Sequence, residues 1–142
     1  MSYKETTGKK PYQLIPELVL RALDDDNIQA HYKDEINEEI FIYWRDLEGE
    51  SFIDIVLPVL EFGIEKYGQA NSWKQVPNAQ DEYSGALIRH KIAVREGGID
   101  SKAEDSGLYH MQHILCNLMF LLWFELQERM QGVRYGRVEW HK

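Results

Sequence analysis

The sequence predicts an all-α fold, a helical bundle of four to five helices. Three observations lead there. Apolar residues recur at helical spacing in several separate stretches, glycine or an acidic turn closes most of them, and the longest stretch is apolar on nearly every side through its second half. A polar line bearing histidines runs along that last helix and should be buried with it.

Taken in order, the first dozen residues are polar, contain Gly8 and Pro11, and read as a loose arm. Pro16 suits the first turn of a short helix through Leu23, which Asp24-Asp25-Asp26-Asn27 stops. Ile36, Ile40, Tyr43 and Leu47 share a face of a second helix from Asp34 to Leu47, closed by Gly49. Ser51, three residues before Asp54, caps a third that runs to Tyr67 and ends at Gly68. Pro58 should kink that helix or open a fresh one. A polar loop covers residues 69–80. A helix from Asp81 to Arg95 follows, ended by Gly97-Gly98. Asp105-Ser106 is then expected to cap the longest helix, which reaches Met130. From Gly132 on, Val133, Tyr135 and Val138 alternate with polar residues, the pattern of a strand-like arm or an oligomer contact.

A chain of 142 residues is one domain, long enough to bury a real core, and 44% hydrophobic with 28% charged residues is ordinary globular composition. The net charge of −8 argues against a nucleic-acid polymer as partner, because phosphate neutralisation needs a basic excess. A small anionic ligand stays open, since a few local Lys or Arg residues and a metal ion can meet it. The single cysteine, Cys116, sits in an apolar helical run and reads as a buried thiol in a reducing compartment. Leu115–Leu126 is interrupted by Asn117 and Glu125 and is too short to span a bilayer, and the N-terminus has no apolar signal core. A cytoplasmic protein without membrane contact is expected.

The chemistry concentrates on the helices. His110, His113 and Asn117 stand at i, i+3 and i+7, within roughly 60° of arc. A buried polar line needs partners, a metal or a ligand. Each imidazole could simply bond a carbonyl or carboxylate of a neighbouring helix. Two histidines and an asparagine on one line tip the balance toward function. Glu61 and Glu65 stand at i, i+4 and point the same way, either as a solvated acidic edge or as carboxylates facing the histidines around a divalent cation. His90 shares a face with Tyr83, Leu87 and Val94, with Arg89 beside it. Arg89, Arg95, Lys66 and Lys91 are the cations available to phosphate. Asn71 and Trp73 lie on the polar loop, where an aromatic ring can form a lid, stack on a base or pack back onto the core. Phosphate-cradling glycine loops, a His-Glu-x-x-His helix and a nucleophile elbow are all absent.

Gly63-Ile64-Glu65-Lys66-Tyr67-Gly68, Asn71 and Trp73, Arg89-His90, then Asp105-Ser106-Gly107 with His110, His113 and Asn117 together resemble the phage-encoded dATP/dGTP diphosphohydrolase-like family. The resemblance covers residues 55–125. It departs from the family pattern where Ser72 separates Asn71 from Trp73. It implies an all-α fold related to the MazG-like nucleoside triphosphate pyrophosphohydrolases, which use helix-borne carboxylates and Mg²⁺. It also marks residues 24–51 as an insertion before a core bundle at 52–130, with an irregular tail at 131–142.

The resulting expectation is a metal-dependent pyrophosphohydrolase that converts a purine deoxynucleoside triphosphate to the monophosphate. Glu61, Asp105, His110 and His113 would hold the divalent metal and activate water. Lys66, Arg89 and His90 would contact phosphates, Tyr67 and Trp73 the base, and Asn71 and Asn117 other polar groups of the nucleotide. Histidine is an unusual ligand for a hard cation, so Mn²⁺ or Zn²⁺ stands beside Mg²⁺ as the metal. The competing expectations are a non-catalytic nucleotide- or protein-binding module and a structural helical oligomer. A homo-oligomer is expected in any case, because Trp44, Trp123, Tyr135 and Trp140 read as exposed aromatics.

Overall fold

The computed structural model describes residues 10–24, 35–47 and 49–134. All but the last three residues of the expected N-terminal arm, and the expected tail beyond residue 134, lie outside the described residues, as do Tyr135 and Trp140. Among the described residues there are five α-helices and no strand. They are α1 (Glu17–Asp24), α2 (Glu35–Arg45), α3 (Phe52–Tyr67), α4 (Ala79–Gly97) and α5 (His110–Arg134).

The organising element is α5, which packs against each of the other four helices, most extensively against α4. Met111, Ile114, Leu115, Leu118, Met119 and Leu122 on α5 are essentially inaccessible to solvent. Val19 of α1, Ile40 of α2 and Val56 of α3 meet them from the surrounding helices in one continuous core. At about 1.5–3 kcal/mol for each fully buried large aliphatic side chain, this cluster is the main source of stability. Ile40 shows that α2, which precedes the stretch resembling the family, is part of that core. An ion pair between Lys91 and Glu39 ties α4 to α2.

The helix boundaries follow local chemistry. The Ser51 hydroxyl accepts the Asp54 N–H at 3.1 Å and caps α3, as expected. At the other end Gly68 adopts φ +78°, and its N–H bonds the Ile64 carbonyl. Gly98 ends α4 in the same way, with φ +92° and a bond to Val94. Instead of breaking at Pro58, α3 continues through it. The missing proline N–H leaves only the Asp54 carbonyl, in the exposed first turn, without its helical donor.

Four expectations need correction. The end of the arm is ordered, since Tyr12–Leu14 form a 3-10 turn with Pro11 and Leu14 buried. The loop at 69–80 holds a second 3-10 turn, Ser72–Gln75, which carries Trp73 into the core at 8% exposure. The longest helix begins at His110, not at Asp105-Ser106, and it runs through Val133 to Arg134 in place of a strand-like turn-off at Gly132. Finally, Trp44 and Trp123 are half-buried. Trp44 packs against Phe41 and Phe52 with its Nε1–H on the Glu50 carbonyl at 2.8 Å, and Trp123 meets Trp73 edge-on at 5.2 Å. These two rings therefore give no support to an oligomer.

The late start of α5 has a definite cause. Residues 101–110 fold back on themselves: Ala103 N–H bonds Leu108 O at 2.8 Å, and His110 N–H bonds Ser101 O at 3.0 Å. Gly107, at φ +72°, makes the turn that a side chain would strain. Tyr109 then precedes the helix, and the Gln112 side chain reaches back to accept its N–H at 3.0 Å, half of a capping box. Among the described residues no helix is long and apolar enough to cross a membrane.

Candidate active site

A cavity of about 550 Å³ opens between α3, α4, the 3-10 turn at Ser72–Gln75 and the start of α5. It has two kinds of wall. Val59, Leu60, Phe62, Trp73, Val76 and Phe120 make an apolar, aromatic side. Lys66, Arg89, His90, Asp105, His113 and Asn117 make a polar one. The fold-back at 101–110 is what brings Asp105 over the first turns of α5.

The imidazoles form one cluster. His90 Nδ1 and His110 Nδ1 are 2.8 Å apart, so one donates and the other accepts. The His90 and His113 rings are stacked with centroids 4.6 Å apart and planes within 8°. His113 Nε2 lies 2.8 Å from the Ser106 hydroxyl. Asn117 donates from Nδ2 to the His113 carbonyl at 2.8 Å, one turn back along α5. The helical line predicted from spacing is therefore real, and α4 adds the third ring to it.

Electrostatics keep two of these rings, His90 and His113, uncharged. Burial, then the neighbouring His113 and His110 and, last, Arg89 push the His90 imidazole down to about 4, against the opposing pull of Asp105. Burial also lowers His113, with Asp105 opposing and His110 adding to the effect. Both are neutral at physiological pH and can exchange hydrogen bonds with an anion without adding charge. Permanent positive charge comes from Lys66 and Arg89. Lys66 and Asp105, both lining the cavity, pair at 4.0 Å with both groups exposed, so the pair is weak and easily exchanged for another anion.

The aromatic side is rigid. Trp73 stacks on Phe120 at 4.4 Å and meets Trp123 edge-on at 5.2 Å. The Tyr83 hydroxyl donates to the Trp73 carbonyl at 2.7 Å. Desolvation raises that phenol to about 12, so it stays protonated. Trp73 is thus a packed wall of the cavity, not an exposed platform. Tyr67 is the opposite, 67% exposed beside the cavity. Asn71 borders it as well, in a left-handed conformation with φ 62°.

The expected metal set does not assemble. Glu61 does not line the cavity. Residues 59, 60, 62, 63, 64, 66 and 67 face it, and Glu61 and Glu65 occupy the remaining arc of α3. Their shared i, i+4 face is real, but it is turned away from the histidines. His110 meets His90 without itself lining the cavity. The rings of His90 and His113 are parallel, so their in-plane lone pairs do not converge, and His113 Nε2 is occupied by Ser106. Among the described residues no group of three or more His, Cys, Asp or Glu side chains is arranged to hold a metal ion. The residues do not fit a resident, protein-enclosed metal. The carboxylates on the cavity are Asp105 and Glu82.

Glu82 and Ser106 are the contributors that sequence reasoning did not place at the site. Glu82, Ala86 and Arg89 stand at i, i+4 and i+7 on α4 and all face the cavity, so the helical period that picked out His90 also contained this line. Ser106 read as a helix cap, and only the fold-back makes it a partner of His113.

Residues 51–134 match the family model described as dATP/dGTP diphosphohydrolase, N-terminal. The chain belongs to that family. The match spans more than half of the sequence and takes in α3, α4, α5 and every side chain on the polar wall of the cavity. No curated protein and no solved structure matches the chain. The region matched to the dATP/dGTP diphosphohydrolase family thus holds the cavity lining apart from Leu14, while α1 and α2 lie before it.

Proposed function

We propose that the protein hydrolyses a purine deoxynucleoside triphosphate to the monophosphate and pyrophosphate. The observation that carries this reading is the convergence of Lys66, Arg89, His90, His113 and Asp105 on a cavity that Trp73, Phe120 and Phe62 also line. Its volume, about 550 Å³, is in the range of small-molecule sites. The membership of the dATP/dGTP diphosphohydrolase family supplies the substrate class.

In this reading the nucleotide arrives as its complex with Mg²⁺ or Mn²⁺, and the cation is held by the phosphates, not by a protein cage. Such a cation would supply charge neutralisation at the phosphoryl oxygens. The chain supplies the remainder. Arg89 can hold two phosphate oxygens in its planar fork, and Lys66 exchanges Asp105 for a third. Asp105, released from Lys66, is the carboxylate free to orient the attacking water. Neutral His90 and His113 line the path between the cations without repelling them. The base lies along Trp73, with Tyr67 closing over its exposed side, and Asn71 and Asn117 offer amides to the sugar or base. Charge stabilisation, not a covalent intermediate, provides the rate. The buried lone thiol fits a cytoplasmic setting.

The decisive experiment incubates the protein with each deoxynucleoside triphosphate and Mg²⁺ or Mn²⁺ and assays pyrophosphate. Release from dATP or dGTP is expected, and no release from any nucleotide ends the reading. One observation favours a non-catalytic nucleotide-binding module instead: His110, His113 and Asn117 each already have an intramolecular partner. Saturable nucleotide binding without turnover would establish that alternative.

A further inference from the structure

We infer that Ser106 is a positioning residue that fixes His113 in its Nδ1–H tautomer, so that His113 meets the nucleotide as a hydrogen-bond donor and not as a base. The inference rests on the proposed hydrolase for its functional half only. Its structural half stands on the geometry of the loop.

The Ser106 hydroxyl has one proton and two lone pairs. The Leu108 N–H already donates to Oγ at 3.1 Å, across the turn that Gly107 makes possible. The nearest side-chain partner of the hydroxyl is His113 Nε2 at 2.8 Å. Oγ has a second lone pair that an Nε2–H would fill, but its own proton would then have no acceptor among the described residues; donating that proton to Nε2 satisfies both groups. That nitrogen is then the acceptor of a neutral ring, and the ring's own proton sits on Nδ1. His113 remains neutral, because burial outweighs the nearby Asp105 carboxylate. The stack against His90, parallel to within 8°, holds the plane of the ring, and the Ser106 contact at Nε2 selects which edge faces the turn. Asp105 stabilises the same turn from one residue away, accepting the Ser106 N–H at 2.8 Å.

A neutral imidazole held in this state does not take up a proton from water. It offers one N–H, which suits a phosphoryl oxygen whose negative charge grows during the reaction. The assignment separates two carboxylate- and imidazole-bearing roles that the sequence merges. Asp105 is the group able to accept a proton, and His113 is the group able to donate a hydrogen bond. Ser106 decides the second of these without touching the nucleotide.

The test uses the full chain labelled with ¹⁵N in histidine. Two-bond ¹H–¹⁵N correlation at pH 7.5 should show His113 protonated at Nδ1 and bare at Nε2. Ser106→Ala should move the ring toward the Nε2–H form, and Ser106→Thr, which keeps the hydroxyl, should restore Nδ1–H. In pyrophosphate release, Ser106→Ala should lower kcat about tenfold or more with KM little changed, since a wrongly set tautomer harms the reacting state more than binding. Ser106→Thr should recover most of it. An Nε2–H ring in the wild-type protein overturns the tautomer assignment outright. A correct tautomer with full kcat in Ser106→Ala overturns the catalytic half. If no nucleotide is hydrolysed, the proposed function fails, and the NMR spectra alone decide what Ser106 does to His113.

Discussion

Helix α5 is two different objects joined end to end. From His110 to Asn117 it alternates core residues with a polar line whose members bond Ser106, His90 and the helix's own backbone. From Leu118 to Leu126 it buries Leu118, Met119, Leu121, Leu122 and Leu126 and presses Phe120 onto Trp73. The second half needs no ligand, since its free energy is already realised as buried apolar area. The first half engages its polar groups in bonds to neighbouring residues, and its His113 and Asn117 border the cavity. The difference teaches that the protein anchors its site by continuing the site helix into the densest part of the core, so the polar turns inherit rigidity they could not generate themselves.

The sharpest way to break this comparison is to damage each half separately. Leu118→Ala removes a side chain that is 1% exposed at the centre of the core. It should cost about 3 kcal/mol of unfolding free energy in urea, by lost burial and the cavity left behind. A loss below about 1 kcal/mol would mean the second half is not the anchor. His113→Ala should behave oppositely. Its expected effect is about a hundredfold on kcat with roughly 1 kcal/mol on stability. A variant that unfolds readily yet keeps its turnover would assign the histidine line to structure alone.

Both halves were legible in the sequence to different degrees, and the reason is physical. Helical period depends on the chain alone, so His110, His113 and Asn117 on one line, and His90 on the matching face of α4, could be read directly. So could the stops at Gly68 and Gly97-Gly98, because a residue of positive φ after a helix has a strong preference for glycine. What a helix face meets depends on its neighbours. The pairing of Glu61 with Glu65 was visible, but not that α3 turns this pair away from the cavity. Ser106 looked like a cap because serine before an apolar run usually is one. The hairpin-like bonds from Ala103 to Leu108 and from His110 to Ser101 moved the helix start four residues on, and no local propensity announces such bonds.

The polar half should also make itself felt in acid. An unfolded histidine takes up a proton around pH 6.5, whereas folded His90 does so only near 4. Between these values the unfolded chain binds the extra proton, so stability falls as pH falls. Above 6.5 both states are neutral at this site and its contribution is level. His113 is shifted the same way and adds to the slope. Urea midpoints at pH 7.5, 6 and 5 should decline steadily in the wild-type protein. They should decline less in His90→Gln, which has no group to titrate there. Parallel declines in the two proteins would show that the imidazole cluster does not carry the acid sensitivity.

The smallest expected effect belongs to the back of α3, and its smallness is the point. Glu61 stands on the same helix as Lys66, little more than one turn away, and is the carboxylate the sequence most readily offers to a metal. If the face of α3 decides function, Glu61→Gln should leave kcat and KM within about twofold of wild type, as for a surface substitution away from any site. Lys66→Gln should raise KM clearly, because that side chain faces both the cavity and Asp105. The two substitutions remove one charge each from neighbouring turns and differ only in direction. A large loss in Glu61→Gln would place a carboxylate on the wrong side of the helix at the heart of the chemistry, and would require α3 to rotate when nucleotide binds.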